Sequence, residues 1–350
     1  MSRRPLVSDD RTSAKLEVAP ETDRCASASW ANASASVTVV IATHNRSSYL
    51  ADLFDALHRQ AAPKGGFEVV IADDGSDDDT WAELRQLVAL ASLPVLALRL
   101  TASGGPSRPR NTAAAAARGA LLVMTDDDCI PDPGWVQAHA VAAAAGVAQG
   151  MTVPTGDRSG TWDRSIEIRR FSGLYETCNL SLPRALFLRL GGFPVLAGAQ
   201  RGARGFGEDV LLGVAAAREG GKQWVPAAVV RHRWIPGSFT EHLAGRRRLA
   251  GFPMLLREAP DLRELMYQQV FLTRRTAAFD TAALSVVTAA TTRRLLPAVG
   301  SLPWIVLAVG EARRRPGRPV VWRMAQAAVA DTVAAASLVR GSIRHRRLLL

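Results

Sequence analysis

Three consecutive carboxylates, Asp126, Asp127 and Asp128, follow a short apolar run that begins at Ala120. The run has the length and composition of a buried strand, so the carboxylates stand where that strand leaves its sheet. Ligands of open α/β sheets bind just beyond the carboxyl ends of the strands. Mg²⁺ and Mn²⁺ take oxygen ligands from carboxylates and from substrate phosphates. We therefore expect a Mn²⁺ or Mg²⁺ site that holds a diphosphate, with a solvated acidic turn ahead of Pro133 as the alternative.

Strands and helices alternate ahead of this acidic cluster. Three apolar runs, at 36–42, 67–72 and 95–100, predict strands, and the first of them is rich in β-branched residues. The two segments between them carry apolar residues at helical spacing. This order predicts a parallel sheet of βαβ units, because parallel strands need a crossover connection. The polar residues that follow the first two strands, at 43–46 and 73–76, should then meet on one rim of the sheet.

Weaker patterns follow the acidic strand end. The spacing predicts a helix over 133–146 and a strand over 147–153. A short helix is expected to open within 176–183, and a mobile loop is expected at 197–207 because of its Gly and Arg content. The segment 223–231 predicts a bent strand or a strand pair.

The basic charge of the chain is confined to its C-terminal third. The 350 residues carry a net charge of +11, and the 18 Arg and 7 acidic residues from position 241 onward account for all of it. We predict three parts: a disordered tail at 1–35, an α/β domain at 36–240 and a basic, partly amphipathic helical region at 241–350. Such a charge distribution favours an anionic partner.

Amphipathic helices of this kind can lie on an anionic membrane, with Arg313 to Arg315 and Arg344 to Arg347 on the headgroups. The alternative is a helical extension packed on the domain. The three cysteines lack metal or redox spacing, which favours a reducing compartment. We therefore expect a cytoplasmic protein, peripheral at the inner face of the cell membrane. Nucleic acid is disfavoured as a partner because the Arg-rich third lacks interleaved aromatic residues.

Six motifs occur in an order that resembles the family 2 glycosyltransferases, which have the GT-A fold. They are Val39–Arg46, Asp73–Ser76, Arg110–Asn111, Asp126–Asp128, Asn179 with Gly191–Phe193, and Gly207–Asp209. The resemblance covers roughly residues 37 to 235, and its strength lies in the order of six motifs that are each weak alone. It implies a Rossmann-like, mostly parallel sheet flanked by helices, with the C-terminal helical region added.

The resemblance implies a site for a nucleotide-diphosphate sugar formed by Thr43, His44, Arg46, Asp74, Arg110, Asp126 and Asp127. Asp74 would accept a hydrogen bond from the base, and a carboxylate makes that bond charge-assisted. His44 stands where many relatives carry an aromatic residue that packs on the base; the alternative is a surface turn residue. Arg110 would reach the base or a phosphate, or else neutralise Asp73 or Asp126. Asp127 points toward the ribose in this interpretation.

Asp126 and Asp128 correspond to the metal-binding Asp-x-Asp of the family. They would hold Mn²⁺ or Mg²⁺ on the diphosphate, where the ion offsets charge on the leaving nucleoside diphosphate. His232 ends a late strand, a place from which GT-A enzymes often supply a further metal ligand. The alternative for His232 is a structural histidine.

The resemblance implies that Asp209 is the general base, which takes the proton of the acceptor hydroxyl as it attacks the anomeric carbon. The adjacent Glu208 would raise its proton affinity. Alternatively, both residues only complement the positive end of a helix dipole. Direct displacement implies inversion at the anomeric carbon. The acceptor side would include Glu208, Asn179 and Trp234, although Asn179 could instead maintain the fold and Trp234 could belong to the core.

The Gln-x-x-Arg-Trp sequence of processive polysaccharide synthases is missing after Asp209. We therefore expect transfer of one or a few sugars to an envelope glycan, a lipid-linked hydroxyl or a secondary metabolite. A sugar-phosphate nucleotidylyltransferase is one alternative, but it would need a glycine-rich loop where the sequence has Thr43 to Arg46. A nucleic-acid-binding protein is the other alternative.

Overall fold

The computed structural model describes residues 16–142, 144–195, 206–314 and 319–350. These residues fold into two compact units. The first contains the described residues up to Gly156 together with Ser165–Arg233, and the second contains Asp157–Arg164 and the described residues from Trp234 to Leu350. The division after Arg233 lies ahead of the boundary expected at residue 240. In addition, Asp157–Arg164 joins the second unit although it falls within 36–240.

One mixed sheet of nine strands forms the centre of the first unit. In chain order the strands are β1 (Glu21–Ala26), β2 (Val37–Thr43), β3 (Phe67–Asp73), β4 (Val95–Leu100), β5 (Leu121–Asp126), β6 (Cys129–Pro131), β7 (Val147–Thr155), β8 (Leu180–Pro183) and β9 (Lys222–Arg233). Their order across the sheet is β1-β4-β3-β2-β5-β8-β7-β9-β6. The neighbours β4, β3, β2 and β5 are mutually parallel, as the βαβ pattern predicts. β7 and β9 are also parallel, and the other pairings are antiparallel.

The described residues also form eleven α-helices. In the first unit they are α1 (Ser47–His58), α2 (Thr80–Leu90), α3 (Ser107–Ala116), α4 (Trp135–Ala142), α5 (Arg184–Arg189) and α6 (Glu208–Gly220). In the second they are α7 (Phe239–Arg248), α8 (Phe252–Glu258), α9 (Arg274–Thr292), α10 (Leu302–Arg314) and α11 (Val320–His345). Short 3₁₀ turns lie at Thr177–Asn179, Leu249–Gly251, Pro260–Leu265 and Leu296–Ser301.

The parallel strands at the centre of the sheet are largely apolar because both of their faces are buried. Val39 and Ile41 of β2 pack in one buried cluster with Leu50 and Leu53 of α1. Val40, on the opposite face of β2, is also buried. Burial on two faces explains why the sequence shows continuous apolar runs rather than strict alternation.

Strand β1 corrects the expectation of disorder up to residue 35. It pairs antiparallel with the edge strand β4, with Arg24 opposite Leu98. The Arg118 guanidinium lies 3.9 Å from the ring centroid of Trp30 in the same segment. Most side chains of β1 remain exposed or only partly buried, so the strand shows no apolar periodicity and is held by backbone pairing. The first 15 residues of the predicted tail lie outside the described residues.

The short helix expected to open within 176–183 is also corrected. Leu180–Pro183 is the strand β8, which pairs antiparallel with both β5 and β7. The helix α5 begins only at Arg184. A run of four residues is too short for its periodicity to distinguish a strand from a helix. The segment 223–231 lies in one long strand, β9, whose register against β7 shifts between Gly150 and Met151.

The second unit contains a partly buried network of charged groups centred on the buried Asp331. Arg275 on α9 pairs with Asp331 on α11 at 2.8 Å and also contacts Glu311 on α10. The indole Nε1 of Trp304 donates to Asp331 at 2.8 Å. This network links three helices of the unit. In the described part of the chain, none of the helices combines the length and apolar character that crossing a membrane requires.

Candidate functional site

Three neighbouring parallel strands end at one edge of the sheet. In the ladder Thr43 lies opposite Asp73, and Asp126 lies opposite Ala42. The register therefore brings together the segments that follow β2, β3 and β5. Thr43 itself is almost completely buried at the end of β2. This edge is where ligands of open α/β sheets bind.

Asp73 and Asp74 have different local roles. Asp73 is fully buried, and its Oδ1 accepts a hydrogen bond from the Ser76 amide at 3.1 Å. Asp74 accepts from Ser103 Oγ at 2.9 Å and from the Gly105 amide at 3.0 Å. Burial raises the pKa of both carboxyls, although these donors oppose the shift. Asp74, predicted to accept from the nucleotide base, thus already holds the glycine-rich loop after β4.

The turn after β2 carries two residues predicted to bind the donor: His44, which is exposed to solvent, and Arg46, which faces the acidic cluster. His44 is exposed, and Asn45 adopts the left-handed backbone conformation with φ of 53°. Asn45 Nδ2 donates to Asp77 Oδ1 at 2.6 Å, which ties this turn to the one after β3. Arg46 Nε lies 3.8 Å from Asp127 Oδ1. His44 is therefore accessible to a base, while Arg46 offsets part of the negative charge.

Arg110 on α3 lies between two carboxylates. Its Nη2 donates to Asp126 Oδ1 at 2.7 Å, and its Nη1 lies 3.9 Å from Glu208 Oε1. Burial opposes the charge on this guanidinium, but Asp126 and Glu208 outweigh it and raise the pKa of Arg110. This contact matches the alternative in which Arg110 neutralises Asp126. A bound phosphate would share the guanidinium with that carboxylate.

The turn between β5 and β6 carries negative charge that Arg110 and Arg46 offset only in part. Burial and the Asp128 carboxylate raise the pKa of Asp127 to about 7. Burial also raises the pKa of Asp128, although His232 opposes the shift. A raised carboxyl pKa means that the ionised form is disfavoured where it stands. A divalent cation at this turn would remove that cost.

His232 reaches the acidic turn through the pairing of β9 with β6, in which it lies opposite Cys129. Its Nδ1 lies 2.8 Å from the carbonyl oxygen of Arg233. Because a carbonyl oxygen only accepts, Nδ1 carries a hydrogen and Nε2 faces Asp128, 3.5 Å from its Oδ1. Imidazoles that bind metals are commonly held in this way, with the second ring nitrogen donating to a carbonyl group.

Asp128, Cys129 and His232 form a group whose possible ligand atoms all lie within 4.8 Å of one another. An imidazole beside a carboxylate suits Mn²⁺ better than Mg²⁺, which prefers oxygen alone. Together with the raised carboxyl pKa values, this donor set fits a divalent cation. Asp126, the other predicted carboxylate ligand, is bonded to Arg110 instead and is not part of the group.

Asp209 stands in the first turn of α6, and its Oδ1 accepts from the Val210 amide at 2.9 Å. The preceding Gly207 adopts a left-handed conformation with φ of 79°, which directs the chain into the helix. Burial and the adjacent Glu208 raise the pKa of Asp209 to about 8. Among the described residues, the buried Glu208 Oε2 has no hydrogen-bond partner. A carboxylate with a raised pKa is a stronger proton acceptor, which suits a general base.

The structure corrects the prediction that Asn179 lies on the acceptor side. Asn179 is fully buried, and its Oδ1 accepts from Trp135 Nε1 and from His139 Nε2, both at 2.9 Å. Its Nδ2 donates to the carbonyl oxygens of Met151 at 2.8 Å and Ala228 at 2.9 Å. All four hydrogen-bonding positions of the amide are therefore filled by the protein.

Those two carbonyl groups lie where the β7–β9 ladder changes register, after Gly150. A shift of this kind leaves backbone groups without ladder partners, and Asn179 supplies the missing donors. A Cβ at Gly150 would lie 2.4 Å from Asn179 Oδ1, so the close approach requires glycine there. Asn179 thus braces the bent strand that carries His232.

The other predicted acceptor-side elements occupy different positions. The Gly191–Phe193 turn is fastened to α3, because Asn111 Nδ2 donates to the Phe193 carbonyl and the Phe193 amide donates back to Asn111 Oδ1, both at 2.9 Å. Trp234 belongs to the second unit, where the Arg158 guanidinium lies 5.4 Å from its ring centroid. Most of the loop predicted at 197–207 lies outside the described residues.

Two contacts at this edge of the sheet could not be found by sequence reasoning. Cys129 joins Asp128 and His232 only because β6 and β9 pair in one particular register. Tyr49 on α1 lies between two guanidinium groups, 5.3 Å from Arg46 and 5.4 Å from Arg233. Each depends on a residue at the end of β9, His232 or Arg233, more than a hundred residues after the acidic turn. No local pattern signals that Cys129 or Arg233 makes these contacts.

Comparison with known proteins gives agreement at the level of family and fold. Residues 38–198 match the sequence model of the family described as glycosyl transferase family 2. The poly(ribitol-phosphate) beta-N-acetylglucosaminyltransferase TarS of Staphylococcus aureus is 37% identical over 91 residues, which are 26% of this chain and 16% of TarS. The validoxylamine A glucosyltransferase of Streptomyces hygroscopicus is 27% identical over 244 residues, covering 57% of this chain and 54% of that enzyme. The chain thus spans about a sixth of TarS.

Solved structures share the fold. The mannosyltransferase PcManGT of Pyrobaculum calidifontis, in complex with GDP-Man and Mn²⁺, superposes with a TM-score of 0.52 at 19% identity, covering 95% of this chain and 90% of PcManGT. The 1–349 fragment of S. aureus TarS, in complex with UDP-GlcNAc, superposes with a TM-score of 0.50 at 18% identity, covering 89% of this chain and 92% of the fragment. The α/β sheet with flanking helices is therefore the GT-A fold, as the sequence motifs imply.

Proposed function

Because residues 38–198 of this chain belong to glycosyl transferase family 2, we propose that it transfers a sugar from a nucleotide-diphosphate sugar to a hydroxyl acceptor with inversion at the anomeric carbon. The observation that carries this proposal is the convergence of Asp128, His232, Arg110 and Asp126 at the carboxyl ends of the parallel strands. The carboxylates and the imidazole suit a cation, and the Arg110 guanidinium suits a diphosphate, at the same edge of the sheet. The general base Asp209 completes the proposed site.

The donor site would be formed by Thr43, His44, Arg46, Asp74, Arg110, Asp126 and Asp127. The exposed His44 forms a wall for the base, and Asp74 orders the Ser103–Gly105 loop beside it. Arg110 is buried and held by Asp126, so its guanidinium is preorganised for a phosphate. Binding of the nucleotide would therefore require little further ordering of these side chains.

Asp128 and His232 would hold Mn²⁺ or Mg²⁺, with Asp126 as a further carboxylate near the diphosphate. When bound, the ion would stabilise the negative charge on the leaving nucleoside diphosphate. His232 would offer Nε2 as its ligand atom because Nδ1 donates to the Arg233 carbonyl. Arg46, whose Nε lies 3.8 Å from Asp127 Oδ1, would hold Asp127.

Asp209 would accept the proton of the acceptor hydroxyl. Its raised pKa increases its basicity, and Glu208 keeps it raised. Glu208 is itself oriented by Arg110, which links the base to the donor side. Attack on the face opposite the leaving group gives inversion. Among the described residues, we assign no second nucleophile for a double displacement.

The acceptor would be an envelope glycan, a lipid-linked hydroxyl or a secondary metabolite. The names of the relatives support hydroxylated acceptors, since TarS acts on poly(ribitol-phosphate) and the Streptomyces enzyme on validoxylamine A. We also propose that the enzyme works in the cytoplasm at the inner face of the membrane. The net charge of +11 after residue 240 would attract the basic helices to anionic lipid.

Thermal unfolding with UDP, dTDP, GDP and CDP, each with and without Mn²⁺, tests the donor site. A ligand at about 100 times its Kd stabilises the folded state by about 2.7 kcal/mol, and such a gain moves the midpoint by several degrees. We expect one nucleotide to stabilise the protein, and to do so only with Mn²⁺. Failure of all four nucleotides with Mn²⁺ would contradict the proposed donor site.

Asp128→Asn is expected to abolish the Mn²⁺-dependent shift. It should also raise the midpoint of the metal-free protein, because burial already disfavours the Asp128 charge. Asp132→Asn is the matched control: Asp132 lies four positions on and pairs with Arg231 at the surface. That variant should keep the full nucleotide and metal response. An equal loss in both variants would show that the response does not come from the acidic turn.

A further inference from the structure

Exposed aliphatic side chains concentrate in one stretch of the second unit, residues 284–307, here called the apolar hairpin. It comprises the second half of α9, the 3₁₀ turn Leu296–Ser301 and the start of α10. Nine of the 19 large apolar side chains that are exposed in the described residues lie in this stretch. The most exposed are Leu295 at 88% and Leu296 at 81%, at the tip. A concentration of this kind marks an interaction surface.

The hairpin is a preformed structure. Its 3₁₀ turn packs closely on α9: a Cβ at Gly300 would lie 2.2 Å from Ser285 Oγ. The Arg293 residue that ends α9 adopts the left-handed conformation with φ of 54°, which turns the chain back. Binding through this surface would therefore require little ordering of the backbone.

The charge of the hairpin selects the kind of partner. Residues 281–310 contain no carboxylate, and their only charged side chains are Arg293 and Arg294, both exposed and immediately ahead of Leu295. A symmetric contact with a second copy would place the same arginine pair close to its own image. A partner that is apolar inside and anionic at its edge would match both the exposed aliphatic side chains and the arginine pair. The interface of a bilayer with anionic lipids has this arrangement.

We propose that the apolar hairpin inserts shallowly into an anionic membrane, with Leu295 and Leu296 below the lipid phosphates and Arg293 and Arg294 bonded to them. The arginines limit the depth, since moving a guanidinium into the hydrocarbon core is costly. This inference deepens the membrane association proposed above and rests on it. In this proposal the protein does not only adsorb to the membrane through its arginines; it also inserts the apolar tip, Leu295 and Leu296, into the lipid.

Vesicle co-sedimentation of the full chain, without nucleotide, tests the proposal. Vesicles of phosphatidylcholine alone are compared with vesicles containing about 30 mol% phosphatidylglycerol, at about 0.1 M and about 1 M NaCl. We expect binding to the anionic vesicles that weakens but persists at the higher salt, because apolar insertion is not screened. The double variant Leu295→Ser/Leu296→Ser should lower the partition coefficient by about tenfold or more.

The matched control is Val321→Ser/Ile343→Ser, which removes two aliphatic side chains of 78% and 75% exposure from α11 in the same unit. It should bind like the wild type. The charge variant Arg293→Gln/Arg294→Gln should show a weaker preference for anionic vesicles and keep a salt-independent component. Unchanged midpoints of thermal unfolding would show that all three variants are folded.

Several results would overturn the proposal. One is complete loss of wild-type binding at about 1 M NaCl, which would leave adsorption by the arginines as the explanation. Equal binding by the tip and control variants would also overturn it, as would no binding to either vesicle. A solution dimer that dissociates in the Leu295→Ser/Leu296→Ser variant would assign the hairpin to a second copy. None of these results bears on the proposed donor site, which the nucleotide shifts test separately.

Discussion

Replacing Asp209 with Asn is expected to lower kcat for sugar transfer by about 10²–10⁴-fold, the usual contribution of a positioned general base. The amide keeps the size of the side chain and its acceptor for the Val210 amide, so α6 should remain folded. The donor site does not include Asp209, so the stabilisation by nucleotide and Mn²⁺ should persist. Initial rates with saturating donor, together with thermal unfolding, measure both quantities.

The pH dependence gives an independent check. Asp209 must be ionised to accept the proton, and burial together with Glu208 raises its pKa to about 8. Activity should therefore rise with pH through about that value and be low at pH 6. A rate that is flat between pH 6 and 9 would count against Asp209 as the base.

Glu208→Gln is the matched control because it changes the adjacent carboxyl without removing the base. Loss of its negative charge should lower the pKa of Asp209, so the rise in activity should move to lower pH. Turnover at high pH should stay within about tenfold of the wild type, whereas Asp209→Asn keeps its loss of about 10²–10⁴-fold at every pH. The reverse pattern, with Glu208→Gln inactive and Asp209→Asn active, would transfer the role to Glu208.

Asn179→Ala is expected to destabilise the protein by about 3–5 kcal/mol. The substitution removes four hydrogen bonds from a fully buried position. It leaves the Trp135 indole N–H and the carbonyl groups of Met151 and Ala228 buried without partners, which costs more than the bonds themselves contributed. Equilibrium unfolding in urea measures the change in the free energy of unfolding.

Ser181→Ala serves as the control within the same network. Ser181 Oγ lies 2.8 Å from His139 Nδ1, and its removal takes away one bond to a ring that burial keeps neutral, with a pKa of about 4. We expect a loss of about 1 kcal/mol. If Asn179→Ala instead kept the wild-type stability and raised only the KM for the acceptor, Asn179 would belong to the acceptor site after all.

Local sequence patterns predicted most of the parallel strands and helices of the first unit. The runs at β2, β3 and β5 are apolar because both faces of these strands are covered, and each run ends in polar residues. The strands and the polar residues at their ends can therefore be predicted from the sequence alone. The six ordered motifs implied the GT-A fold and the family, and both agree with the comparisons. Strand β1 was not predicted from the sequence, because its side chains remain largely exposed and backbone pairing holds the strand.

The amino-acid sequence by itself determined where the parallel strands end and which chemical groups stand at their ends, because periodicity and residue type are local properties. Only the tertiary structure decided which of those groups meet. His232 faces Asp128, and Asn179 braces the bend in β9, because antiparallel and shifted pairings join segments that are far apart in the chain. Arg110 bonds Asp126 because α3 packs against β2 and β3, and β5 is the neighbour of β2 in the sheet. Register and packing are non-local, so no window of sequence contains them.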